Sequence, residues 1–135
     1  MGLAERRAAQ EFQDKQFVAL RAEIQKVAGH EVPIDVDWEQ LAVAEQARLY
    51  AESWPDLYFK PIIEALRLIT RDELGKKAII SGLKKIEIRN SKGAYSAQSA
   101  ITFESGVLAI DHKLSNVGNV QERTDYIVEV VEKSL

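Results

Sequence analysis

Between Lys85 and His112, large apolar residues fall on every second position in three short stretches: Ile86 and Ile88, then Ile101 and Phe103, then Leu108 and Ile110. A period of two is the pattern of strands with one buried face. Two glycine-containing turns separate the stretches, Ser91-Lys92-Gly93-Ala94 and Ser105-Gly106. If Ser105-Gly106 is a two-residue hairpin turn, Phe103 faces Leu108, Ile101 faces Ile110 and Ser99 faces His112. If Lys92-Gly93 turns a preceding hairpin, Ile88 faces Ala97 and Ile86 faces Ser99. Both registers gather the apolar residues on one side, and a slip of one residue would scatter them. The expectation is a three-stranded antiparallel meander with Lys85, Glu87 and Arg89 on its outer face.

The flanking sequence reads as helical. Phe17, Leu20, Ile24, Val27 and Ala28 form one apolar stripe, predicting a single helix over 3–28 that stops at Gly29. Before Phe12 the stripe is weaker, which leaves residues 1–12 free to fray or project. Residues 31–37 alternate Val32, Ile34 and Val36 with polar residues and contain Pro33, so a fourth strand here belongs at an edge. Asp37 followed by Gln40 predicts a cap and a helix to about Glu52. "SWPDLYFKP" (53–61) reads as an interruption. Phe59, Ile62, Ile63, Leu66 and Ile69 predict a further helix. Thr70 to Glu73 predicts a capping box and a short helix ending at Gly82. Asn119 to Glu122 predicts the cap of a last helix striped by Val120, Thr124, Ile127, Val131 and Leu135. The fold class is therefore α+β: N-terminal helices, the meander, and a C-terminal helix packed on the sheet, in a single domain over 1–135.

Composition narrows the chemistry. The chain has no cysteine, which removes disulfides, thiolate metal sites and cysteine nucleophiles. At 46% hydrophobic and 29% charged residues it has enough apolar material for a core. No apolar run is long enough to span a bilayer and no leader pattern opens the sequence, so a cytoplasmic location without a membrane partner is expected. Residues 71–92 carry a net charge of +4, leaving −7 for the rest, which is not the profile of a general nucleic-acid binder.

Few residues have the types that carry reactions. His112 shares the face of Leu108 and Ile110 at a strand end, while Asp111 and Lys113 point the other way. It reads first as a half-buried, hydrogen-bonded side chain and second as a proton-transfer group. His30 lies past a helix stop. With Asp35, Asp37, Asp111 and His112 it would make a metal group only if the two histidines met, which nothing in the pattern requires, so no metal or cofactor is expected. No GxSxG elbow, Walker loop or GxGxxG is present. "NVGNV" (116–120) has amides that suit an anion, although helix capping explains them equally well. Lys85, Glu87, Arg89 and Lys92 form a candidate docking surface for an acidic partner. Trp54 and Tyr58, at the expected helix break, are candidate interface anchors beside their ordinary use as core plugs.

The resulting expectation is a non-catalytic protein-binding domain, of which an immunity-type inhibitor of a bacterial toxin is one form. The alternatives are a small hydrolase or nuclease using His112 with nearby carboxylates, Asp111 among them, and a homo-oligomeric structural protein joined through the N-terminal helix or the 31–37 edge.

Overall fold

The computed structural model describes residues 2–135. Its centre is a four-stranded mixed sheet made of β1 (Ile34–Val36), β2 (Lys85–Arg89), β3 (Ile101–Glu104) and β4 (Val107–Asp111), in the order β1-β2-β4-β3. The Ser105-Gly106 hairpin forms in the expected register, with Phe103 opposite Leu108 and Ile101 opposite Ile110. Its two turn residues have φ of 52° and 80°, the left-handed pair that matches strand twist. Gly106 is needed twice over, because a Cβ there would lie 2.8 Å from the Gly82 carbonyl oxygen.

The other expected hairpin is absent, so the sheet is not an antiparallel meander. β2 pairs in parallel with β4, placing Ile86 beside Leu108 and Ile88 beside Ile110. Parallel neighbours need a crossover, and a one-turn helix α7 (Ala97–Ala100) followed by β3 supplies it. Ser96 caps that turn, its side chain accepting from the Ser99 amide. Ala97 and Ser99 are therefore helical and cannot pair with β2 or His112. β1 is the edge strand expected from 31–37. It pairs in parallel with β2, and the long helical crossover 37–84 joins them.

The N-terminal stripe is split into α1 (Leu3–Asp14) and α2 (Gln16–Ala28), broken at Lys15, where φ is −114° and ψ is −79°. Five residues advance a helix by about 140° beyond a full turn, so Phe12 and Phe17 could not face one core from a straight helix. The break brings both onto Trp38, with ring centroids 5.8 and 5.0 Å away. Ala9 and Phe12 are buried, so the second half of α1 belongs to the body. Asp37 caps as expected, accepting from the Gln40 amide at 3.1 Å. The helix it starts, α3 (Trp38–Leu41), lasts one turn rather than reaching Glu52. A loop with Glu45 at φ 66° follows, then a short 3-10 turn and α4 (Tyr50–Trp54).

Residues Pro55–Phe59 do not interrupt the chain. They form a π-helical segment that joins α4 directly to α5 (Lys60–Ile69). α6 (Glu73–Gly82) is capped by Asp72, not Thr70; the Asp72 carboxylate accepts from the Gly75 amide at 2.8 Å. α8 (Val120–Ser134) is the expected last helix, although Asn119 makes no side-chain capping bond.

α5 packs along α8 and α2, and α8 packs on β3. The inner sheet face, with Ile86, Ile88, Ile101, Leu108 and Ile110, is fully buried beneath them. At about 2 kcal/mol for each large aliphatic side chain hidden, this layer is the main reason the sheet holds together. The opposite face carries only exposed or half-buried residues. Among the described residues no helix is long and apolar enough to cross a membrane.

Candidate functional site

Two regions stand out from the packed core: the uncovered sheet face and a cavity lined by several polar side chains at the carboxyl end of β4.

Strand parity builds the uncovered face. Across its middle run Asp35, Glu87, Ala109 and Thr102; on one side of that row lie Lys85, Val107 and Glu104, and on the other Arg89 and Asp111. The charges are paired among themselves. Arg89 donates to Asp35 at 2.8 Å and lies 3.7 Å from Glu87, while Lys85 lies 3.1 Å from Glu87 and 3.6 Å from Asp35. The hydrogen bond from Arg89 holds the Asp35 carboxyl below its ordinary range. At the strand end the Asp111 carboxylate accepts from the amide and hydroxyl of Ser91. Lys92 is exposed in the loop beyond. The face is therefore not the basic patch suggested by residues 71–92. Asp35, Glu87, Glu104 and Asp111 outnumber Lys85 and Arg89 on it.

Trp54 and Tyr58 are fully buried, which removes both from any contact surface. Trp54 stacks on Tyr50 at 4.3 Å inside an aromatic cluster with Phe12 and Trp38. Tyr58 donates its hydroxyl to the His112 carbonyl at 2.6 Å, and burial raises its pKa.

His112 lies on the inner face, as strand parity required, and is 1% exposed. Its Nδ1 sits 2.6 Å from the Lys113 carbonyl, a contact that only an Nδ1–H can make favourably. Nε2 is therefore the lone-pair nitrogen, and among the described residues it has no hydrogen-bond partner. Burial pushes the imidazole pKa down, with the Arg123 charge adding to that and the Lys113 carbonyl opposing it. The carboxylates proposed to work with His112 are engaged elsewhere: Asp35 on Arg89, Asp37 capping α3, and Asp111 on the opposite face. His30 is equally remote, its ring lying between the carbonyls of Ala28 and Leu83.

Sequence reasoning missed Arg123. It is 1% exposed, yet it forms no salt bridge among the described residues. Its guanidinium donates instead to the carbonyls of Asn116 (2.8 Å), Val117 (2.7 Å) and Asp56 (3.1 Å), and its Nε is buried without a partner. The Asp56 carbonyl is available because of the π-helical segment. In that segment Lys60 donates to Pro55, five residues back, and the next donor in the series would be Pro61, which has no N–H. Arg123 takes the place of that absent amide. A warning was readable in the sequence, since Arg123 lies one turn before Ile127 on the buried stripe of α8.

Tyr95, Ser96, Ala97, His112, Asn116, Asn119, Glu122 and Arg123 line a partly open cavity of about 190 Å³. No protein-family model, curated protein or solved structure matches the chain.

Proposed function

We propose that the chain is a non-catalytic protein-binding domain that meets its partner through the uncovered face of the sheet, and that an immunity-type inhibitor of a toxin is one form such a domain takes. The supporting observation is the mutual pairing of Asp35, Lys85, Glu87 and Arg89. Four long or charged side chains are already ordered on a rigid sheet, so a partner would meet fixed charges with little further loss of side-chain freedom. Val107 and Ala109 form a low apolar centre beside them. The excess of carboxylates fits a mildly basic contact surface rather than the acidic partner suggested by sequence alone. The face has no aromatic side chain on which bases could stack, which disfavours single-stranded nucleic acid.

The test uses the polypeptide encoded beside this chain's gene, mixed with it at about 50 μM and followed by amide hydrogen exchange. A complex that protects Lys85–Arg89 and Val107–Asp111, and that is weakened at least tenfold by Glu87→Lys, is expected. A complex that protects other elements and is indifferent to Glu87→Lys, or no complex at all, overturns the reading.

A further inference from the structure

We propose that the cavity between the end of β4 and the first turn of α8 is a binding site for a phosphoryl group, with Arg123 and the α8 amides facing its charged oxygens and His112 Nε2 accepting from its hydroxyl. This site is separate from the sheet face and does not depend on the protein-binding reading.

Four independent features meet there. First, α8 is a 15-residue helix whose N-cap side chain makes no capping bond, which leaves its first-turn amides without a side-chain acceptor, and of those residues Glu122 lines the cavity. Such amides, at the positive end of the helix, are a natural anion cradle. Second, the guanidinium of Arg123 is buried in the same wall with no carboxylate in ion-pair contact among the described residues; Asp56 and Glu122 act on its charge only from further away, and a buried cation without a contacting counter-ion is costly. Its hydrogen bonds are mostly spent on carbonyls, so it acts on a ligand chiefly through its charge. Third, His112 presents an unpaired ring nitrogen from a side chain that is otherwise sealed. Fourth, the cavity lies at the carboxyl end of β4, where the His112 amide bonds the Arg89 carbonyl at the end of the parallel strand β2, and ligands of open parallel sheets gather at that end.

The mix of donors and one acceptor selects the ligand. A lone-pair nitrogen facing an anion repels an oxyanion without a hydrogen, such as sulfate. A phosphoryl group near neutral pH exchanges a proton with a pKa of about 6 and can therefore donate to it. Two carboxylates oppose an anion here: Asp56, which acts on Arg123 without contacting it while paired with Lys60 at 3.0 Å, and Glu122. Glu122 lines the cavity but is solvent-exposed, so its carboxylate can swing outward.

The full chain is titrated with inorganic phosphate, O-phosphoserine and sulfate, and read by amide and imidazole NMR shifts. Saturable shifts at Tyr95–Ala97, His112 and Val120–Arg123 are expected at about millimolar phosphate or below, with sulfate at least tenfold weaker. Tighter binding of phosphoserine assigns the site to a phosphomonoester, and tighter binding of phosphate assigns it to the free anion. Glu122→Gln, an exposed change that leaves the fold alone, should tighten phosphate about fivefold by removing a nearby like charge. His112→Met should erase the preference over sulfate. No saturable shift at the cavity, equal affinity for sulfate, or a Glu122→Gln protein that binds phosphate no better each overturns the proposal.

Discussion

His112 and Arg123 show how two buried polar side chains behave differently when their partners are main-chain carbonyls. His112 is held as the neutral imidazole by burial and by the nearby Arg123 charge, so its folded pKa lies below the ordinary value of 6.5. Between those two values the unfolded chain binds more protons than the native one, so stability rises with pH there. The His112 contribution is complete above 6.5 and is lost as pH falls toward the depressed folded value. Urea midpoints of the wild type should therefore drop on acidification below about pH 6.5, and His112→Met should flatten that part of the profile. An unchanged slope would show that the titrating group lies elsewhere. The face occupied by His112 was legible from strand parity alone. Its role beside Arg123 was not, because an arginine on an apolar stripe looks like a solvated residue until the carbonyls it serves are known, and those belong to a π-helical segment and a loop that periodicity cannot describe.

At the scale of elements, the π-helical segment Pro55–Phe59 and α8 are joined by the bond from Arg123 to the Asp56 carbonyl. Losing Arg123 leaves the Asp56 and Val117 carbonyls without a donor, while the Asn116 carbonyl keeps the Asn119 amide, and Arg123→Met should cost about 3 kcal/mol. In a Pro61→Ala background an amide returns at residue 61, so the same substitution should cost about 1 kcal/mol less. Urea denaturation of the four proteins measures that coupling, and strictly additive costs would rule out the substitution of one donor for the other. The sheet shows what alternation does and does not specify. Ile86, Ile88, Leu108 and Ile110 were assigned to the buried face, and all four are there. The neighbour of β2 was misread because parity fixes the face a strand presents, while a parallel strand from further along the chain satisfies the same parity as an antiparallel one next to it. The Ser105-Gly106 turn was readable because a two-residue hairpin needs left-handed backbone, which Gly106 adopts without strain at φ 80°. The apparent Lys92-Gly93 turn also has a left-handed glycine, with φ 67°, but it leads into the α7 crossover instead of a hairpin.

Taken whole, the molecule is a two-layer structure in which helices hide one face of a mixed sheet and leave the other bare. The aromatic cluster at the α1 end is as much a part of the core as the isoleucine layer. Phe12 is 2% exposed and touches Trp38, Trp54 and Phe59. Phe12→Ala should cost about 3–4 kcal/mol by calorimetry or urea, whereas a loss below 1 kcal/mol would return the first helix to the status of a loose arm. The crossover through α7 and β3 also governs assembly. While a ribosome is still releasing residues 90–100, β2 can dock only on the three residues of β1, and its other hydrogen-bonding edge stays open to stray chains. The strand that closes that edge is synthesised last of the four, so a stalled or slowly translated message would leave the nascent polypeptide with an unpaired strand edge until Asp111 emerges.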